Sequence, residues 1–269
     1  MAKGASAIGA LEDVLEAGTG KKHDDMDSTQ KKARQAGFLY LLLAVIAPVG
    51  ILYVPGKLFV RGDAAETGRR ILASESLFRL GIASELVSPI LSLFVVLALY
   101  RLFRDVDTKQ ARLMVILGAL LPTPISLLNV LDGVAALTFF QGAGELSALA
   151  RPQLEALGMT FLRLRDAGIS IASIFWGLWL FPFGILVVRS RFIPRVLGYL
   201  LFLAAVGYLA NAFTSLVLPA YASAVGGVAV ALEMGELPIM LWLVIRGARP
   251  RPGEAPGASG ERARAAALR

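Results

Sequence analysis

Four carboxylates stand inside runs otherwise almost free of charge. Glu85, Asp132, Glu233 and Glu236 each interrupt a long apolar stretch, with Asn129 just ahead of Asp132 and Asn211 inside a further stretch. An ionisable side chain at membrane depth is costly to bury, so it marks either a path for an ion or proton or a partner that ties helices together. Glu233 and Glu236 are three residues apart and project from nearly one face of a helix. Two carboxylates that close in a low dielectric do not both ionise freely. That property suits a proton- or cation-coupled step. The structural alternative is pairing with an Arg, with Asn129 or Asn211, or with Ser and Thr hydroxyls. Arg79, Arg163 and Arg165, with Asp166 beside them, are expected to form an ion-pair rim facing these acids.

The elements that must position these groups are six apolar segments, roughly 37–54, 81–100, 113–140, 168–188, 196–218 and 225–245. A spanning helix needs about 20 mostly apolar residues. Each segment is about that length, and the chain is 56% hydrophobic with a mean hydropathy of +0.66. The expected fold is all-α, a polytopic bundle of six transmembrane helices spanning 31–247. Residues 1–30 and 248–269 are expected to be cytoplasmic tails, the second rich in Pro, Gly and Arg and unable to bury enough apolar surface to order itself. On this reading all four acids lie at or beyond the midplane on the outer side, Glu236 deepest.

Basic residues set the orientation, because Lys and Arg are enriched in cytoplasmic loops. With both termini inside, only Lys57, Arg61, Arg69, Arg70, Arg79, Arg151, Arg163 and Arg165 fall outside, leaving 19 of the 27 within. The net charge of +7 then reflects orientation and attraction to anionic headgroups. Nucleic acid is not an expected partner, since no basic run is interleaved with stacking aromatics. Membrane lipids are, and a membrane protein partner or a second copy of the chain stays open. Gly168-xxx-Ala172 and Gly207-xxx-Asn211 offer small-residue faces for close packing, within one bundle or between copies.

Much chemistry is excluded. There is no Cys, so disulfides and thiolate sites are ruled out, and the one histidine, His23, lies in the first tail. No Walker or dinucleotide-binding pattern occurs. No catalytic residue, metal site or cofactor is assigned, and an enzyme is not the expected reading. The first 30 residues lack a signal peptide's apolar core, so the first span is expected to serve as its own insertion signal. Abundant Ala and Arg suit a GC-rich bacterial genome.

Between spans, Asp63 to Glu66 reads as a capping box opening a short amphipathic helix through Leu72, with Ser74 or Ser76 restarting the second span. A loop over 141–163 is expected to hold a separate short helix near 152–162. Proline interrupts five spans, at Pro48, Pro89, Pro122 with Pro124, Pro182 and Pro238. Membrane helices carry Pro commonly, but Pro122 and Pro124 together also suit a broken helix.

The stretches GDAAETGRRILASESLFRLG (62–81), FWGLWLFPFGILVVRSRFIPRVLGYLL (175–201), GYLANAFTSLVLPAY (207–221) and GELPIMLWLVIRG (235–247) resemble the bacterial six-span family known as domain of unknown function 4386. The resemblance implies a six-helix integral membrane protein and carries no catalytic residue with it. Glu236 falls in the family-like GEL segment, Asn211 stands where relatives would be expected to have Asp, and the third span departs from the pattern. The functional expectation is an accessory or scaffold protein of the bacterial cytoplasmic membrane. The alternatives are a small-solute or proton-coupled transporter using the outer carboxylates, or a lipid- or quinone-linked membrane enzyme.

Overall fold

The computed structural model describes residues 29–248; the two expected tails lie almost wholly outside them. Within that range the chain is helical and no residue is in a strand. Six long helices carry it: α1 (Thr29–Leu58), α3 (Glu75–Phe103), α4 (Thr108–Gln141), α5 (Arg151–Ser190), α6 (Arg195–Val217) and α7 (Pro219–Ile245). A short amphipathic helix, α2 (Ala64–Ala73), lies between the first two. Exposed Leu, Val, Ile and Phe side chains, among them Phe38, Leu52, Phe94, Leu131, Leu203 and Val228, cover the outside. Only a helix or a closed barrel satisfies its backbone in hydrocarbon, and these helices present that apolar exterior to lipid.

The end at which α1 begins and α7 finishes is called here the foot, and the opposite end, bearing α2, the crown. Two apolar cores occupy them. The foot core joins Leu99, Phe103, Met114, Phe183, Leu186 and Leu243. The crown core joins Val54, Ile71, Phe78, Leu137, Phe140 and Leu162. α7 is shared unevenly: its first half packs on α6, whereas its second half meets α1, where a Cβ on Gly37 would come within 2.6 Å of the Val244 nitrogen.

Capping matches the sequence in part. Asp63 accepts the Glu66 N–H at 2.8 Å and starts α2. The Glu66 carboxylate does not reach back; Arg69 and Arg70 hold it instead, chiefly Arg70, and keep its titration below the usual glutamate range. Asp107 caps α4 from the foot, accepting from the N–H groups of Lys109 and Gln110, both at 3.1 Å, and pairs with Arg189 at the end of α5.

The 141–163 region differs from expectation. A 3-10 turn (Gly144–Ala148) follows α4, and α5 then runs 40 residues from Arg151 with a single step at Trp179, absorbing the short helix into the fourth span. Pro152 sits in the first turn, where a missing N–H costs nothing. Leu154 and Leu162 are buried, and Gly158 lies against Phe140, so the helix keeps a packing partner all the way into the membrane.

Candidate functional site

The candidate acids do not form one site. They divide between two polar nodes, each built where a helix is irregular.

The first node begins in α1. Pro55 has no N–H, and over Val49–Tyr53 the helix widens into a π turn with the Val54 N–H bonded to the Val49 carbonyl. The carbonyl of Gly50 is thereby left without a helical partner. Arg165 of α5 takes it, donating at 2.9 Å. The same guanidinium donates through Nε to both oxygens of Glu85 on α3, each at 3.1 Å, with a further bond from its terminal nitrogen, and to Asp166 at 2.9 Å. Phe59 lies against its face, 5.9 Å from ring centre to guanidinium carbon. Ser84, next to Glu85, repairs the ladder one turn earlier: its hydroxyl donates to the Ile46 carbonyl at 2.7 Å and accepts from the Gly50 N–H at 3.2 Å. Side-chain exposure is 4% for Arg165 and 11% for Glu85. The void beside the pair is about 10 Å³, the lower limit for one water.

The second node lies deeper. Glu236 ends a 3-10 turn (Met234–Glu236) inside α7, just before Pro238. Tyr40 of α1 donates to one carboxyl oxygen, and Tyr208 of α6 donates to the other at 3.1 Å. Tyr40 packs in turn on Trp179, at 5.7 Å between ring centres, at the step in α5 ahead of Pro182. Trp179 lies against Gly118, in the π turn of α4 (Ile116–Leu120), where a Cβ would come within 2.9 Å of the indole. Pro122, four residues beyond Gly118, has no N–H to offer that carbonyl, and Ser92 of α3 donates to it at 3.3 Å. Irregular turns of α4, α5 and α7 thus converge through Tyr40 and Trp179. One turn nearer the crown, Asn211 donates to Glu233 at 3.1 Å, so the two glutamates answer to separate partners.

The remaining candidates sit elsewhere. Arg79 pairs with Glu75 at 2.7 Å, and Gln141 donates to the same carboxylate, fastening α3 to the end of α4. Arg163 is exposed, so of the expected rim only Arg165, with Asp166, meets an intramembrane acid. Asn129 is buried against Gly168, and Asp132, partly exposed on α4, joins the hydrogen bonds of neither node. Both small-residue faces are spent inside the bundle: Gly207 lies on α7, where a Cβ would meet the Ala229 carbonyl at 2.7 Å.

Sequence reasoning did not single out Tyr40, Tyr208, Ser84 or Gly50. Signals existed. Each tyrosine places a hydroxyl donor deep in a span, and Pro55 five residues after Gly50 leaves that carbonyl free once the turn is π.

An uncharacterized protein of Archaeoglobus fulgidus is 35% identical over 79 residues, which is 29% of this chain and 46% of the relative, so the match spans about half the relative's length. No solved structure matches. The profile described as a domain of unknown function, DUF4386, matches residues 35–247, which include both nodes and every long helix but the first turns of α1. With six apolar helices and that match over most of its length, the chain is an integral membrane protein belonging to the DUF4386 family.

Proposed function

We propose that this protein is an accessory or scaffold component of the bacterial cytoplasmic membrane, with both termini on the cytoplasmic side and the crown outside. One observation carries the reading: the acids Glu85, Glu233 and Glu236 are each spent on another helix of the same bundle, holding α3 to α5, α6 to α7, and α7 to α1 and α6. A buried polar network satisfied internally fixes helix register and leaves the lipid-facing surfaces and termini free for other proteins. The excess of basic residues at the foot supports the orientation.

The absence of cysteine makes the test direct. Single cysteines at Ser84 and Glu236 are exposed, in intact cells, to a membrane-impermeant thiol reagent. A scaffold with sealed nodes predicts labelling only after denaturation. Rapid labelling of position 236 from outside would mean that a wet path reaches the midplane, which overturns the scaffold reading in favour of transport.

A further inference from the structure

Glu236 differs from Glu85 in having no cation to answer it. Its hydrogen bonds come from two neutral phenols. The helices packed around it offer nothing else: α1 has no basic residue between Arg34 and Lys57, α5 none between Arg165 and Arg189, α6 none after Arg195 and α7 none before Arg246. Arg246 and Arg189 are ten residues from Glu236 and Trp179, about 15 Å along their helices. The titratable groups facing the site are Tyr40 from α1, Tyr208 from α6 and, one turn up its own helix, Glu233; α5 contributes the aromatic rings of Trp179 and Phe183. The site is also deep. Glu236 lies about 14 Å along α7 from its foot end, and Tyr40 about 9 Å along α1 from Arg34, the nearest basic residue of that helix, so the site sits inside the apolar layer. A carboxylate placed there without a counter-charge takes up a proton unless water reaches it.

The backbone makes Glu236 a junction as well. The 3-10 turn and Pro238 interrupt α7 at this residue. Beyond the junction, α7 is fastened to α1 through Leu243 and Val244 against Gly37, and Gly247, just past its end, lies against Gln30 and Arg34. Before it, α7 packs on α6, and Val228 and Met234 face outward.

We propose that Glu236 is a proton-binding site at a hinge in α7: the protonated acid, hydrogen-bonded to the Tyr40 and Tyr208 hydroxyls, holds the two halves closed on α1 and α6. Loss of the proton leaves an anion that two phenols alone do not offset, and the crown half of α7 swings to admit water. The proton leaves to that water and returns from it, so no other reactant is needed. The scaffold reading requires the node to be sealed only while residue 236 is uncharged, the state that a neutral cysteine at 236 reports, so the labelling test and the pH test fail separately.

Two measurements on the full chain in lipid nanodiscs test it. Infrared difference spectra from about pH 5 to about pH 9 should show a carboxylic-acid carbonyl band that disappears as pH rises and is missing in Glu236→Gln. Spin labels on cysteines at Val45 and Val228 should report a distance change over the same pH interval. Glu236→Gln should keep the low-pH distance at every pH, and Tyr208→Phe should displace the transition in pH without abolishing it. Wild type without the band, a band retained in Glu236→Gln, or distances independent of pH or of Glu236 would each overturn the proposal.

Discussion

The two nodes solve one problem by opposite means. Near the crown, about 30 Å from the foot along α1, Glu85 meets a guanidinium already anchored by a backbone carbonyl and an aromatic ring. At mid-depth, Glu236 meets two neutral hydroxyls. A charged pair is tolerable where headgroups and water are close, and its removal on one side leaves an uncompensated charge. A carboxyl bonded to phenols keeps the option of being neutral. The lesson is that the apolar depth of a buried acid matters less than whether the bundle supplies its counter-charge: Glu85 is a lock, and Glu236 is built to change state.

The largest expected effect tests the lock. Arg165→Met strands Glu85, frees the Gly50 carbonyl and should cost about 3–5 kcal/mol in detergent denaturation, while Arg165→Met with Glu85→Leu should recover much of the loss. Equal stability of the single variant and wild type would show that water already reaches Glu85. Gly37→Val comes next, forcing a side chain against the α7 backbone at 2.6 Å. It should cost about 1–3 kcal/mol and pull Tyr40 from Glu236 while sparing the Arg165 pair, read as greater solvent exchange at the deeper node alone.

Tyr40→Phe removes one hydrogen bond and should cost about 0.5–1.5 kcal/mol. Its coupling to Glu236→Gln in a double-mutant cycle should be measurable, and its coupling to Arg165→Met near zero. A strong coupling across the two nodes would erase the distinction between them. The smallest effect lies outside the membrane. Asp107 is held below its ordinary value of 3.8, chiefly by the Gln110 N–H, with burial opposing and Arg189 and the Lys109 N–H adding to the lowering. Because the folded state depresses this titration, its contribution to stability is present above about pH 3.8 and fades as pH falls through the lowered value. Thermal melts of wild type should therefore lose a little more stability on acidification than those of Asp107→Asn, and neither should vary with pH near neutrality.

Much of the fold was legible in the apolar runs. Six segments predict six helices because a bilayer requires about 20 apolar residues per crossing, and Asp63 marks the start of α2 through a local hydrogen bond. The fused α5 was not legible: Gly142 ends α4 and Pro152 opens α5 as their types suggest, but the polar run 163–166 signals a break that the helix runs through, because Gly158 packs on Phe140 and Leu162 and Arg165 are buried in the bundle. The acids were legible as a set, while their partners were not. Glu85 and Arg165 are 80 residues apart and Tyr40 and Glu236 are 196 apart, separations over which periodicity carries no information.

The sequence by itself determined the class of this protein, the number of long apolar helices and the residues too polar to lie in lipid without a reason, because transfer into hydrocarbon acts on each residue locally. Only the tertiary structure decided which acid receives a cation and which receives phenols. That choice follows from helix packing and from the carbonyls that Pro55 and Pro122 leave unpaired, since a freed carbonyl draws whichever donor the neighbouring helix brings within reach.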